Sequence, residues 1–210
     1  MSEADGTMQA EKGTRAESPY STGDKVRRVV WMLLGAPAFR CTFHNWYGLR
    51  AAILRMFDAR ISRHVRVRPS VLIEQPWNLT IGENSSVGDR AILYCLGKVT
   101  IGANVSISQG AHICAGTHDY RKADMPLIRP PITIEDDAWI AADAFVGPNI
   151  VVRRGAILGA RGVAMKDLEA GWIYAGNPAV KVKPRGGKES EKRKTKSENP
   201  DAEREAGDWE

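Results

Sequence analysis

From Ile81 onward the chain places an aliphatic residue at almost every sixth position. The turns read IGENSS (81–86), VGDRAI (87–92) and LYCLGK (93–98), and two residues later IGANVS (101–106), ISQGAH (107–112) and ICAGTH (113–118). After a break they resume as IEDDAW (134–139), IAADAF (140–145), VGPNIV (146–151), VRRGAI (152–157), LGARGV (158–163) and a degraded AMKDLE (164–169). Eleven of these twelve turns begin with Ile, Val or Leu. A period of six fits neither an amphipathic helix nor a lone half-buried strand. A fixed internal period is instead the mark of a solenoid.

Three such turns close a triangular rung of 18 residues, each turn being a short strand and a corner. Strands of successive rungs then stack at sheet spacing, about 4.8 Å. The first position of each turn points inward, which predicts three core columns. One holds Ile81, Ile101, Ile134 and Val152; the next Val87, Ile107, Ile140 and Leu158; the last Leu93, Ile113, Val146 and Ala164. Each buried aliphatic contributes roughly 1.5–3 kcal/mol. The small fifth residues, such as Ser85, Ala91 and Ala138, suit a corner too tight for bulk. The expected fold class is therefore all-β, a parallel β-helix over residues 65–185.

The flanks read differently. Residues 25–64 carry helical spacing in VRRVVWMLL and WYGLRAAILRMFDARI. They predict two short helices split near GAPAF, where Pro37 interrupts, with Leu49, Ile53, Met56 and Phe57 on one face. The interleaved arginines face water, or lipid headgroups if the segment makes a peripheral membrane contact. The apolar run Val29 to Phe39 is too short to span a bilayer. Residues 1–24 and the charged tail 186–210 have too little apolar surface to fold alone and are expected to be disordered.

The formal charge of +5 is mildly basic, but no aromatic-interleaved basic patch points to nucleic acid. Three cysteines, Cys41, Cys95 and Cys114, fit neither a disulfide framework nor a metal cluster. Reduced thiols and the polar first 25 residues predict a cytoplasmic protein, able to sit at the inner face of a membrane.

The repeat opens once, at residues 119–133, directly behind His118. Insertions of that length are often functional. His118 is placed as the last residue of a corner, with its ring near the loop root. A zinc site is not expected: His112 and His118 are one triangle face apart, and catalytic zinc needs three protein ligands. Cys114 reads as a small residue in a tight strand rather than a nucleophile.

Three segments resemble one family. They are PWNLTIGENSSVGDRAILYCLGKVTIGANVSISQGAHICAGTHDY, PPITIEDDAWIAADAFVGPNIVV and AGWIYAGNPAVKVKPR. They are similar to the hexapeptide-repeat acyltransferases, and among these to the colanic-acid-type exopolysaccharide acetyltransferases, near the maltose and galactoside acetyltransferases. The resemblance implies a left-handed coil, although parallel β crossovers are overwhelmingly right-handed. It implies acetyl-CoA as cosubstrate, no metal, a sugar or sugar-lipid acceptor, and a homotrimer with active sites between subunits.

The resemblance also implies site residues. His118 corresponds to a general base that deprotonates the acceptor hydroxyl. A histidine suits that task because it titrates near working pH. Asp119 and Tyr120 orient His118, bind a sugar hydroxyl or anchor the loop. Tyr94 and Asp89, one rung earlier, are candidates for the acceptor pocket. Ala142 and Ala160, on successive rungs, leave room for pantetheine. Trp139 matches a tryptophan near the subunit groove, and Lys166 and Lys183 fall where basic residues meet CoA phosphates. Val180 replaces the family's usual arginine, leaving Lys181 or Arg185 to substitute. The rival reading is a non-catalytic β-helix scaffold.

Overall fold

The hexapeptide strands stack into three faces. In the computed structural model, which describes residues 20–186, the first face runs Arg60–Ile61, Leu79–Ile81, Val99–Ile101, Ile132–Ile134 and Val151–Val152. The second contains Arg66–Val67, Ser86–Val87, Ser106–Ile107, Trp139–Ile140 and Ile157–Leu158, then Trp172–Ala175 and Val180–Pro184. The third contains Leu72–Ile73, Ile92–Tyr94, His112–Cys114, Phe145–Val146 and Val163–Ala164. Pairing along the coil is parallel, and the closing strand Val180–Pro184 returns antiparallel.

The register reproduces the expected columns. Ile134 pairs with Ile101 and Val152, Ile140 with Ile107 and Leu158, and Val146 with Ile113 and Ala164. Every one of these side chains is buried. The small residues Ser85, Ala91 and Ala138 are buried beside them. Several corners need a left-handed backbone, which Asn104, Asp137 and Asn149 supply at φ of 55°, 61° and 62°. Asn and Asp tolerate that region better than other non-glycine residues.

The coil starts earlier than expected, at Arg60 rather than residue 65. Ile61, Val67 and Ile73 form a complete first rung, stacked on Ile81, Val87 and Leu93. Their six-residue spacing continues the repeat backward, into a stretch whose helical neighbours obscured it.

The helical segment begins sooner and ends sooner. Helix α1 (Thr22–Val30) is capped by Ser21, whose hydroxyl accepts from the Asp24 N–H while Asp24 reaches back to the Ser21 N–H. This capping box orders residues expected to be disordered. The rest of the expected disorder, 1–19 and 187–210, lies outside the described residues. The chain continues through a π-helical turn (Trp31–Gly35) into α2 (Ala36–Arg40), so Pro37 does not split it. The π-helical turn accommodates the proline: the Ala36 N–H bonds five residues back to the Trp31 carbonyl, so the regular α-helical ladder that needs the missing N–H is already interrupted. The break falls instead at 41–46, before α3 (Tyr47–Met56).

The buried face of α3 also departs from expectation. Leu49 and Met56 are exposed, and the inward side is Arg50, Ala51 and Leu54. Arg50 is fully buried and donates to the carbonyls of Val67 (2.6 Å), Phe43 (2.7 Å) and His44 (2.7 Å) and to the Thr42 hydroxyl (2.6 Å). Its five-donor fork satisfies orphan acceptors in the 41–46 turn and ties it to the first rung. Trp31 fastens the other helix, donating from Nε1 to the Ile73 carbonyl at 2.8 Å. Gly35 allows this packing, since a Cβ there would lie 2.2 Å from the Trp31 ring.

Candidate active site

The coil opens where the third face hands over to the first. Strand His112–Cys114 does not return directly; the chain leaves as Thr117–His118, which pairs antiparallel with Leu127–Ile128. The insertion is thus a small hairpin with its own ladder, and the coil resumes at Ile132, paired with Val99. His118 therefore stands on a strand outside the coil rather than at a corner of it. Gly116, buried at the root, permits the departure: a Cβ there would come within 2.9 Å of Leu96 and 3.1 Å of the Tyr94 ring.

The His118 side chain is exposed, and its Nδ1 lies 2.7 Å from the Met125 carbonyl oxygen across the hairpin. A carbonyl can only accept, so Nδ1 carries the proton. That assigns the tautomer and leaves the Nε2 lone pair basic. The hairpin is closed by the Asp119 N–H donating to Pro126 (3.0 Å) and the Met125 N–H donating to Lys122 (3.0 Å). The Asp119 carboxylate accepts from the Arg121 N–H at 3.2 Å, so it shapes the loop and does not touch His118. Tyr120 points into solvent, 78% exposed.

Tyr94 sits beside the root of the hairpin, half-buried. Burial, and secondarily the Glu74 carboxylate, raise its pKa above 10.0, so the phenol keeps its proton. Asp89 is placed elsewhere, at the corner between the second and third faces, where it accepts from Ser70 at 2.8 Å and pairs with Arg68 at 3.5 Å. The expected acceptor residues therefore separate: Tyr94 belongs to the neighbourhood of His118, and Asp89 does not.

The expected coenzyme residues form sets on different parts of the coil. Trp139, Ile157, Ile173 and Lys183 occupy one row of register across the second face. Trp139 is 43% exposed, and its Nε1 donates to Ser108 at 2.9 Å. An open groove of about 580 Å³ runs beside it, with Arg66, Arg68, Ser106 and Arg185 in its walls. Arg66 and Arg68 are cations that sequence reasoning missed; their only signal was a basic run, RHVRVR (63–68). Ala142 and Ala160 stack at the corner next to this face, where the Arg161 N–H donates to the Ala142 carbonyl at 2.8 Å. Lys166 is exposed at the corner between the third and first faces, the same corner that carries the hairpin. Of the two substitutes for the missing arginine, Lys181 is held by Glu169 (2.6 Å) over the Trp172 ring, and Arg185 donates to the Asp137 and Gly155 carbonyls.

Cysteine chemistry is disfavoured. Burial raises the pKa of the Cys114 thiol, and that of Cys95 to about 11. Both stay protonated at neutral pH, and the thiolate is the nucleophilic form.

No protein-family model matches the chain. The protein of Escherichia coli K12 that bears the name colanic acid biosynthesis acetyltransferase WcaF is 37% identical over 178 residues, covering 85% of this chain and 98% of WcaF. The structure of a galactoside acetyltransferase in complex with coenzyme A aligns with a TM-score of 0.74 at 20% identity, covering 82% of this chain and 88% of that one. A hexapeptide-repeat acetyltransferase, VCA0836, from Vibrio cholerae in complex with acetyl-CoA aligns at 0.72 and 20% identity, covering 80% and 92%. The structural likenesses bear out the fold class, a left-handed parallel β-helix with a short helical N-terminal segment. WcaF supplies the closer tie, because it is matched along nearly its whole length. The chain belongs to the hexapeptide-repeat acetyltransferases, in the group of WcaF.

Proposed function

We propose that the protein moves an acetyl group from acetyl-CoA to a sugar hydroxyl, with His118 as general base, in the biosynthesis of a polysaccharide. The observation that carries this reading is the hydrogen bond from His118 Nδ1 to the Met125 carbonyl, 2.7 Å long. It leaves an exposed imidazole, with Nδ1 engaged by the carbonyl and Nε2 left for the acceptor, at the root of the inserted hairpin. WcaF, named for colanic acid biosynthesis, supports a sugar acceptor, and the acetyl-CoA and CoA complexes of the structural relatives support the donor.

The chemistry is direct transfer. His118 Nε2 takes the proton of the acceptor hydroxyl as its oxygen attacks the thioester carbonyl carbon. The tetrahedral intermediate collapses, the carbon–sulfur bond breaks, and the leaving thiolate recovers the proton from the imidazolium. General-base assistance of this kind contributes about 10²–10⁴-fold; positioning of the two substrates contributes the rest. Tyr94 and Tyr120 are assigned to the acceptor, and Trp139, Ala142, Ala160 and Lys183 to the coenzyme.

His118 leaves the corner between the third and first faces, whereas Trp139 faces outward from the second, across the triangle. A coenzyme resting on Trp139 of one copy reaches His118 of a neighbour more readily than that of its own chain. This favours a homotrimer with shared sites, in which Lys166 beside the hairpin meets a coenzyme seated on the adjacent copy. The test is acetyl transfer from acetyl-CoA to a panel of sugars and glycosides, with products identified by mass. Ester products on sugars support the reading; tight CoA binding without transfer to any sugar points to another acceptor class; no CoA binding returns the protein to a scaffold role.

A further inference from the structure

The helical segment that opens the described chain has two apolar faces, and the coil covers one of them. Trp31, Gly35 and Phe39, spaced by four, are buried. On the far side Val26, Val29, Val30, Leu33 and Leu34 are exposed, the last two at 61% and 66%. Their spacing is i, i+3, i+4, i+7, i+8, that of a helix stripe made to be covered. Just beyond α2, Phe43 and Trp46 add two more exposed rings, edge-to-face at 4.9 Å. Bare apolar surface of this extent marks an interaction site.

Residues 1–19 and 187–210 contain no Val, Ile, Leu or Phe, so their sequence holds no aliphatic counterpart to the stripe. Charge selects the partner. Residues 20–56 contain six Lys and Arg and one acid, Asp24. Arg50 is buried, and Arg27 and Arg28 are paired with Asp58 and Glu74, but Lys25 and Arg40 have no carboxylate partner among the described residues. A second copy docked stripe to stripe would bring like charges together. An anionic lipid surface satisfies both features: acyl chains accept the aliphatic stripe, and headgroups accept the cations. Trp46 is of the type that settles at the headgroup level.

We propose that the segment from Thr22 to Arg40 lies flat on an anionic membrane surface, with the Val26–Leu34 stripe inserted. No described helix is long and apolar enough to cross a bilayer, so the contact is peripheral. The Trp31–Ile73 and Arg28–Glu74 bonds, both 2.8 Å, fix the helix to the first rung, so docking holds the coil at the surface too.

The test is co-sedimentation of the full chain with vesicles of phosphatidylglycerol and phosphatidylcholine, against phosphatidylcholine alone. Two variants accompany it: Leu33→Asp with Leu34→Asp, and Lys25→Glu with Arg40→Glu, each checked for an unchanged melting temperature. The expected result is binding to the anionic vesicles at least about tenfold stronger than to neutral ones, weakened by salt and reduced about tenfold or more in each variant. Failure of the wild-type chain to bind anionic vesicles overturns the proposal. So does equal binding by the variants, or a stripe variant that alters the oligomer mass, which would make the stripe a self-contact. None of these outcomes depends on acetyl transfer.

Discussion

His118 Nδ1 and the Met125 carbonyl oxygen are 2.7 Å apart, across a hairpin that the β-helix itself does not contain. The imidazole is oriented by backbone, and that backbone is unusual: Met125 adopts φ of 42°, where a branched Cβ is strained. Met125→Gly should therefore retain the carbonyl and most activity. Met125→Val should shift it and lower kcat by about ten- to a hundredfold, with the KM for acetyl-CoA little changed. Steady-state kinetics of the two variants checks this; equal effects would mean that the carbonyl does not orient the ring.

Trp139 tests the proposed coenzyme face. Its indole stands in one row with Lys183 beside the groove of Arg66 and Arg68. Trp139→Ala should weaken CoA binding by about tenfold, or about 1.4 kcal/mol, and leave the melting temperature near the wild-type value, because the ring is 43% exposed. Calorimetric titration with CoA reads the affinity directly.

Ile134 tests the stack. It is fully buried between Ile101 and Val152. Ile134→Ala should cost about 2–5 kcal/mol through lost burial and the cavity left behind. The neighbouring Thr133→Ala, on the outward side of the same strand, should cost about 0.5 kcal/mol or less. Chemical denaturation distinguishes the two.

Arg50 carries a charge into the interior with carbonyl and hydroxyl partners and no carboxylate partner among the described residues. Burial lowers its pKa, though a guanidinium is not deprotonated in proteins. Arg50→Lys cannot reproduce the planar fork, and Arg50→Met leaves the acceptors orphaned. Each should destabilise by about 3 kcal/mol or more, seen as early melting, with both variants behaving alike.

His112 sets a pH dependence of stability. Burial lowers its pKa below 6.5, and its Nε2 has no hydrogen-bond partner among the described residues. In the window below 6.5 the unfolded chain binds the proton and the folded chain does not. Stability should therefore fall as pH falls through that window. His112→Phe, placed between the Tyr94 and Phe145 rings, should flatten this part of the melting-temperature profile.

The coil was legible because six-residue spacing ties side-chain direction to backbone period. Ile81, Ile107 and Val146 could be assigned to three columns without knowing the fold. Ile61, Val67 and Ile73 obey the same spacing, but arginines around them resembled the helical stretch before. Arg50 was not legible, since an arginine on an amphipathic helix normally faces water. The hairpin was hidden for a different reason: strands of two residues, Thr117–His118 and Leu127–Ile128, have no period to detect. The separation of Tyr94 from Asp89 also needed the coil, because five residues span a whole face.

The proposed acetyl transfer stands or falls with His118 as base. The most direct test is CoA thiol release from acetyl-CoA with a sugar acceptor, for wild type and a folded His118→Ala variant. With His118 as base, kcat should fall by at least about a hundredfold with CoA affinity retained. Release at equal rates from both proteins would contradict that role.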